Sequence, residues 1–143
     1  MKLGDKNVRQ IKIEFDVNEQ RYKTLGDYFF DNDELIVKIS KIDDVYQLVV
    51  MMHEIVESLL CLLAGVEFSE IDEYDIEYED ARARGQKTAP CDCLIQDEPG
   101  EDVHAPYNKY HKIAEIFEYL FLHHISNILY EKNLEGREEK KDE

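Results

Sequence analysis

Cysteine is scarce in this 143-residue chain, and its three residues, Cys61, Cys91 and Cys93, are an odd number. That count does not suit a disulfide scaffold, so we expect a reducing compartment, the cytoplasm. Cys91 and Cys93 form a C-x-C pair without a second pair. This leaves a zinc ligand set incomplete, and two loop thiols are the simpler interpretation.

Basic residues are also few, because 17 Lys and Arg stand against 33 Asp and Glu, for a net charge of −16. Such a charge repels phosphate backbones and anionic lipid, so we expect no nucleic-acid partner and no membrane partner. A protein or peptide partner of unknown identity, preferably cationic, or bound metal ions fit better. With 43% hydrophobic residues the chain is too apolar for a disordered protein.

Long uninterrupted apolar runs are missing as well. The longest apolar run is broken by His53, Glu54 and Glu57, and the chain opens without a basic and apolar leader. These features predict a soluble protein with neither a membrane span nor a secretory signal.

The order of hydrophobic periodicities predicts one α+β domain over residues 1–136 and a charged, solvated tail at 137–143. Residues 8–40 have the alternation typical of strands, seen in Ile11, Ile13 and Phe15, and 28–39 reads as a hairpin around a polar turn. We therefore expect a small, mainly antiparallel sheet.

A long central helix is predicted at 44–64, capped by Asp43 or Asp44 and ended by Gly65. The sheet should pack against this helix. A second, acidic helix is predicted near 69–84, opened by a capping box at Ser69–Asp72.

A third helix is predicted at 106–133, with Pro106 in its first turn and Gly136 as its end. Its broad apolar face is predicted to be buried and comprises Tyr110, Ile113, Ala114, Phe117, Leu120, Phe121, Ile125, Ile128 and Leu129.

The sequence His53-Glu54-Ile55-Val56-Glu57 is the most informative motif. Residues four apart lie on one helix face, so His53 and Glu57 can converge on a divalent metal with Glu54 beside them as a general base. A simple His–Glu ion pair is the alternative. Burial of two carboxylates without a cation is costly, which favours the metal site. Cys61, on the same face, is either a pocket thiol or a small core residue.

Strands followed by a helix with His-Glu-x-x-Glu resemble the core of zincin metallopeptidases, whose helix carries HExxH. The resemblance implies that His53 is a metal ligand, that Glu54 activates water, and that Leu35–Ile39 is the strand beside the substrate. Glu57 stands where the second His should be. A carboxylate there keeps zinc as the expected metal but admits manganese or iron more readily.

A second resemblance covers more of the chain, because the layout is similar to that of a group of short bacterial and phage proteins without an established activity. It comprises His53–Glu57, Asp72–Asp75, Glu98–Asp102 and the Ala105-Pro106-Tyr107-x-x-x-His111 motif. This likeness implies a shared fold and site.

His111 is the candidate third ligand, with Glu115 or Glu118 as the carboxylate that orients its ring. A partly exposed helical His is the alternative. His104 and Asp75 are weaker candidates, Asp75 having solvent exposure as its simpler interpretation, and His123-His124 is read as structural or exposed.

The functional hypothesis is a zincin-like metal-dependent hydrolase, a peptidase among the options. His53, Glu57 and His111 would hold the metal, and Glu54 would be the catalytic base. The alternative is a non-catalytic interaction protein in which these residues form a structural metal site or a polar network.

Overall fold

The computed structural model of the protein describes residues 1–87 and 94–139, with side chains described as far as Asn133. Its α+β architecture confirms the predicted fold class. The strands are β1 (Lys2–Leu3), β2 (Lys6–Asn7), β3 (Gln10–Val17), β4 (Gly26–Asp31) and β5 (Glu34–Ser40), and the helices are α1 (Asp44–Ala64), α2 (Phe68–Ala83) and α3 (Asn108–Glu139).

Strands β4 and β5 form the predicted hairpin, with Tyr28 paired to Val37 and Asp31 paired to Glu34. The two turn residues, Asn32 and Asp33, have φ of 46° and 66°. A two-residue turn with both φ positive matches the right-handed twist of the strands, and Asn and Asp tolerate that conformation. The polar turn therefore sets the register of the hairpin.

The main sheet has the strand order β3-β5-β4, in which β5 lies in the centre. Strand β4 is antiparallel to β5, β3 is parallel to β5, and β1 and β2 form a separate antiparallel pair. Alternation identified β3 correctly, but Ile11 and Phe15 are 38% and 43% exposed. Helix α1 packs against β4 and β5, which leaves this edge strand less covered.

Helix α1 begins and ends where the sequence predicts. The Asp43 carboxylate accepts a hydrogen bond from the Val45 backbone N–H at 3.0 Å, and Gly65 ends the helix with φ of 74°. The helix is long and apolar enough to cross a membrane by length and composition alone, a test that the core helix of a soluble protein also passes.

The core lies between α1 and the β4–β5 hairpin. It is built by fully or nearly fully buried side chains from several elements, among them Tyr28, Leu35, Val37, Ile39, Cys61, Leu62, Ile71 and Tyr107. The buried face of α1 therefore packs directly against the strands that precede it in the sequence.

Helix α2 begins at Phe68, so the predicted capping box is wrong, because Ser69 lies inside the helix. The Phe68 ring packs edge-on against Tyr28, with 4.8 Å between ring centroids, and also contacts Phe30. This aromatic contact with the sheet draws the start of the helix ahead of Ser69.

Helix α3 begins at Asn108 rather than at Pro106 and continues past Gly136, so the predicted glycine stop is wrong. The predicted buried face is also only partly correct. Ala114 is fully buried, whereas exposed fractions of 45–55% are found for Phe117, Leu120, Ile128 and Leu129. The 32 residues of α3 extend beyond the 21 residues of α1, which leaves part of the apolar face uncovered.

Candidate metal centre

Helix α1 places His53 and Glu57 one turn apart on its buried face. The two residues are 7% and 4% exposed, and His53 Nε2 lies 3.2 Å from Glu57 Oε2. The four-residue spacing therefore brings the two predicted ligands together.

His111 completes the cluster from helix α3, and it is buried rather than partly exposed. Its Nδ1 atom lies 2.8 Å from Glu57 Oε2 and 3.1 Å from His53 Nε2. Three ligand atoms around a tetrahedral ion with bonds of about 2.0 Å are about 3.3 Å apart, close to these separations. The cluster of His53, Glu57 and His111 could hold a metal ion.

His53 and Glu57 each have a hydrogen-bond partner on the side that faces away from the cluster, and His111 has a carboxylate nearby. Glu118 Oε2 lies 2.9 Å from His53 Nδ1, and the Tyr28 hydroxyl donates to Glu57 Oε1 at 2.8 Å. Glu98 Oε2 lies 3.5 Å from His111 Nε2, a buried atom without a hydrogen-bond partner among the described residues. Carboxylates and hydroxyls in this position fix the orientation of metal ligands.

Two glycines allow site side chains to come close to the backbone. A Cβ atom on Gly100 would lie 2.5 Å from His111 Nδ1, and a Cβ atom on Gly26 would clash with the Glu54 carboxylate. Side chains at these positions would displace His111 and Glu54.

Two groups of the cluster, His53 and Glu57, have shifted pKa values. Burial lowers the pKa of His53, but hydrogen bonds to Glu118 and Glu57 outweigh burial and raise that pKa to about 11. Burial raises the pKa of Glu57, but hydrogen bonds from His111 and His53 hold it below its ordinary value. The metal-free cluster thus keeps a cation beside Glu57, where a metal ion would supply the positive charge.

Glu54 lines the same cavity as the three clustered residues and is partly buried. Burial, followed by repulsion from Glu57, raises the pKa of Glu54 well above its ordinary value. A carboxyl group with a raised pKa is suited to accepting a proton.

The cavity has a volume of about 640 Å³ and an acidic lining. Its basic residues, within the part of the chain that the structure describes, are Lys23 and Arg82. Its carboxylates are Glu54, Glu57, Asp72, Asp75, Glu79, Asp97, Glu98 and Glu118. This charge disfavours anionic ligands and favours cationic ones.

Asp75 is buried at one side of the cavity, so the interpretation of this residue as solvent-exposed is wrong. It accepts hydrogen bonds from the hydroxyls of Tyr107 and Tyr22 at 2.6 and 3.3 Å. Burial raises its pKa to about 7. Asp75 is not one of the three clustered residues.

The other candidates lie elsewhere. His104 is half exposed and pairs with Asp102 at 3.3 Å, and His123 and His124 are exposed as predicted. Cys61 is a fully buried core residue, and burial raises its pKa to about 12.

Cys91 and Cys93 lie outside the described residues.

Glu115 pairs with Lys112 at 3.4 Å. Neither it nor Glu118 orients His111 as predicted, because Glu118 contacts His53 instead.

Sequence reasoning missed Tyr28, Glu98, Gly26 and Gly100. Glu98 and Gly100 belong to a motif of the second resemblance, which was a usable signal. The sequence pattern identifies Tyr28 only as an apolar strand residue, and a single sequence does not show which strand faces Glu57.

No protein-family model matches the chain, and neither a curated protein nor a solved structure matches it.

Proposed function

We propose that the protein is a metal-binding protein in which His53, Glu57 and His111 are the ligands. The proposal is carried by the near-equal spacing of three ligand atoms at 2.8–3.2 Å. Two imidazoles and one carboxylate suit zinc, and manganese or iron can also use this donor set. A cytoplasmic location is part of the proposal and is supported by the free thiol of Cys61.

The site further supports a zincin-like metal-dependent hydrolase. Three protein ligands leave a tetrahedral ion one position for water, and the cluster lines a cavity of about 640 Å³ that can admit a substrate. The metal would act as a Lewis acid and lower the pKa of that water. Glu54, in the turn between the two α1 ligands, would accept the proton.

The proposed substrate site differs from the strand that the zincin resemblance implies. Leu35–Ile39 belongs to β5, which has a strand on each side and therefore no free edge for an extended peptide. Edge strand β4 is partly occupied, because the carbonyl groups of Gly26 and Tyr28 accept hydrogen bonds from Thr24 and Arg21. The cavity, rather than strand addition, is the better substrate site.

The charge of the cavity supports a cationic substrate or partner over an anionic one. Among the described residues, eight carboxylates against two basic residues leave excess negative charge even with a divalent metal bound. A basic peptide side chain or a small amine has the complementary charge. The same charge argues against nucleic acid and anionic membranes.

Two matched Glu→Gln variants test the hydrolase. We expect Glu54→Gln to keep the metal and the fold but to lower hydrolysis of p-nitrophenyl acetate by about 100-fold or more. Glu57→Gln should lose metal affinity, because a neutral amide is a poor ligand. Arginine hydroxamate should inhibit wild type more strongly than glutamate hydroxamate does. Metal-dependent hydrolysis that survives Glu54→Gln would contradict the catalytic role.

The competing function is non-catalytic, and one observation favours it. Most polar atoms of the cluster already have partners without a metal, because His53, Glu57 and His111 contact one another. Such a network could join α1 to α3 as a structural feature of an interaction protein. Wild type that binds metal stoichiometrically but neither hydrolyses the ester nor binds either hydroxamate would support a structural metal site.

A further inference from the structure

The C-terminal half of α3 extends past the other described elements of the domain. Every residue from Ser126 to Asn133 is exposed, including the apolar residues Ile128, Leu129 and Tyr130. At 32 residues α3 is about 48 Å long, whereas α1 at 21 residues is about 32 Å long. A short helical extension without tertiary contacts is only marginally stable in water, so a packing partner would stabilise it.

One face of α3 points away from α1 and forms what we call the α3 stripe. It consists of Ile116, Tyr119, Leu120, His123, Asn127 and Tyr130, all of them exposed. Steps of three, four and seven residues place these side chains along one side of a helix, as in a helix that packs against another helix. The four apolar members are 55–73% exposed.

The charge of this segment favours self-association. The stretch from Tyr119 to Tyr130 contains no Asp, Glu, Lys or Arg, although 35% of the whole chain is charged and its net charge is −16. In a symmetric dimer a surface meets its own copy, so an acidic patch would repel itself and an uncharged patch does not. A basic partner protein would instead be drawn to the acidic surfaces of the molecule.

The available area is also sufficient. The four apolar members of the stripe and the flanking residues Phe117 and Ile128 are about half exposed or more. At about 200 Å² for each large side chain, they present about 700 Å². A stable interface of standard size takes about 800 Å² from each partner.

We propose that the α3 stripe binds the α3 stripe of a second copy of this chain in an antiparallel dimer. With His123 near the twofold axis, Ile116 of each copy meets Tyr130 of the other. The antiparallel arrangement places the two acidic domains at opposite ends, which reduces their repulsion. The dimer does not depend on metal binding or on hydrolysis.

The mass in solution tests this proposal. Light scattering after size exclusion should give twice 16.9 kDa for wild type at micromolar concentrations. Leu120→Glu should raise the dimer dissociation constant by at least about tenfold, because a carboxylate is then buried in the interface without a partner. Tyr130→Glu, on the exposed extension, should do the same and guards against a folding defect at Leu120.

Leu63→Glu is the matched control, because Leu63 is 58% exposed at the end of α1 and lies outside the stripe. This variant should remain a dimer. Circular dichroism and thermal unfolding verify that each variant is folded. A monomeric wild type, or equal dissociation in Leu63→Glu and the stripe variants, would overturn the proposal.

Discussion

The chemistry of the candidate centre depends on which partner each polar atom of a ligand side chain contacts. His53 directs Nε2 to the cluster and Nδ1 to Glu118, and Glu57 directs Oε2 to the cluster and Oε1 to Tyr28. Because both polar atoms of His53 and of Glu57 are engaged, this ring and this carboxylate are held before a metal arrives. Preorganisation of this kind raises metal affinity.

Gly100 is predicted to matter through the space that it leaves for His111. Gly100→Ala should weaken metal binding by about tenfold or more, because its Cβ would lie 2.5 Å from His111 Nδ1 and would displace the ring. Calorimetric titration with zinc measures the effect. Gly85→Ala is the control, because its Cβ meets nothing within 4 Å although its φ is 70°. Equal affinities for all three proteins would show that the contact with His111 is unimportant.

The ligand residues were predictable where one helix decides their geometry. His53 and Glu57 converge because they are four residues apart in α1, and His111 was identified from its own motif. The role of Glu118 was mistaken because His111 and Glu118 lie seven residues apart on one face of α3, and both reach α1. Spacing along one helix does not reveal which residue of a second helix lies opposite, so the contact with His53 needed the structure.

Between elements, Arg21 connects the edge of the sheet to α2. Its guanidinium donates to both carboxylate oxygens of Asp27 on β4, at 2.7 and 2.6 Å, and to Asp72 on α2 at 2.8 Å. Asp27 is fully buried, so this cation offsets a carboxylate inside the fold. Asp72 lines the cavity, and the connection therefore also fixes one wall of the candidate site.

Loss of this connection should destabilise the whole domain. Arg21→Ala should lower the free energy of unfolding by about 3 kcal/mol, because Asp27 remains buried without a counter-ion. Arg9→Ala is a suitable comparison, since its ion pair with Glu34 is exposed and should contribute less than about 1 kcal/mol. Urea denaturation of the metal-free proteins measures both values. A similar, small loss in the two variants would refute the role given to Arg21.

The helices and strands could be predicted where neighbouring residues determine them. They were less predictable where contacts between distant residues determine them. Asp43 and Gly65 marked the ends of α1, and the polar turn marked the hairpin. The start of α2 is set by contacts of Phe68 with the sheet, which a local capping pattern does not include. The central position of β5 likewise follows from pairing with β3, more than twenty residues earlier in the chain.

At the scale of the molecule, a net charge of −16 shapes both proposed interactions. A divalent metal would reduce the negative charge of the cavity, and the uncharged α3 stripe would let two copies associate despite their repulsion. Leu120 belongs to this stripe and was predicted to be buried, but it is 55% exposed. Hydrophobic periodicity identifies a face that packs, but it does not distinguish packing within one chain from packing between copies.

The central claim is that His53, Glu57 and His111 bind one metal ion, and metal content after equilibrium dialysis tests it most directly. Untagged protein is dialysed against zinc, then against metal-free buffer, and analysed by mass spectrometry of the elements. Wild type and His104→Ala should each retain about one metal per chain, whereas His111→Ala should retain little while still folded. No stoichiometric metal in wild type, or equal loss in His104→Ala and His111→Ala, would contradict the account.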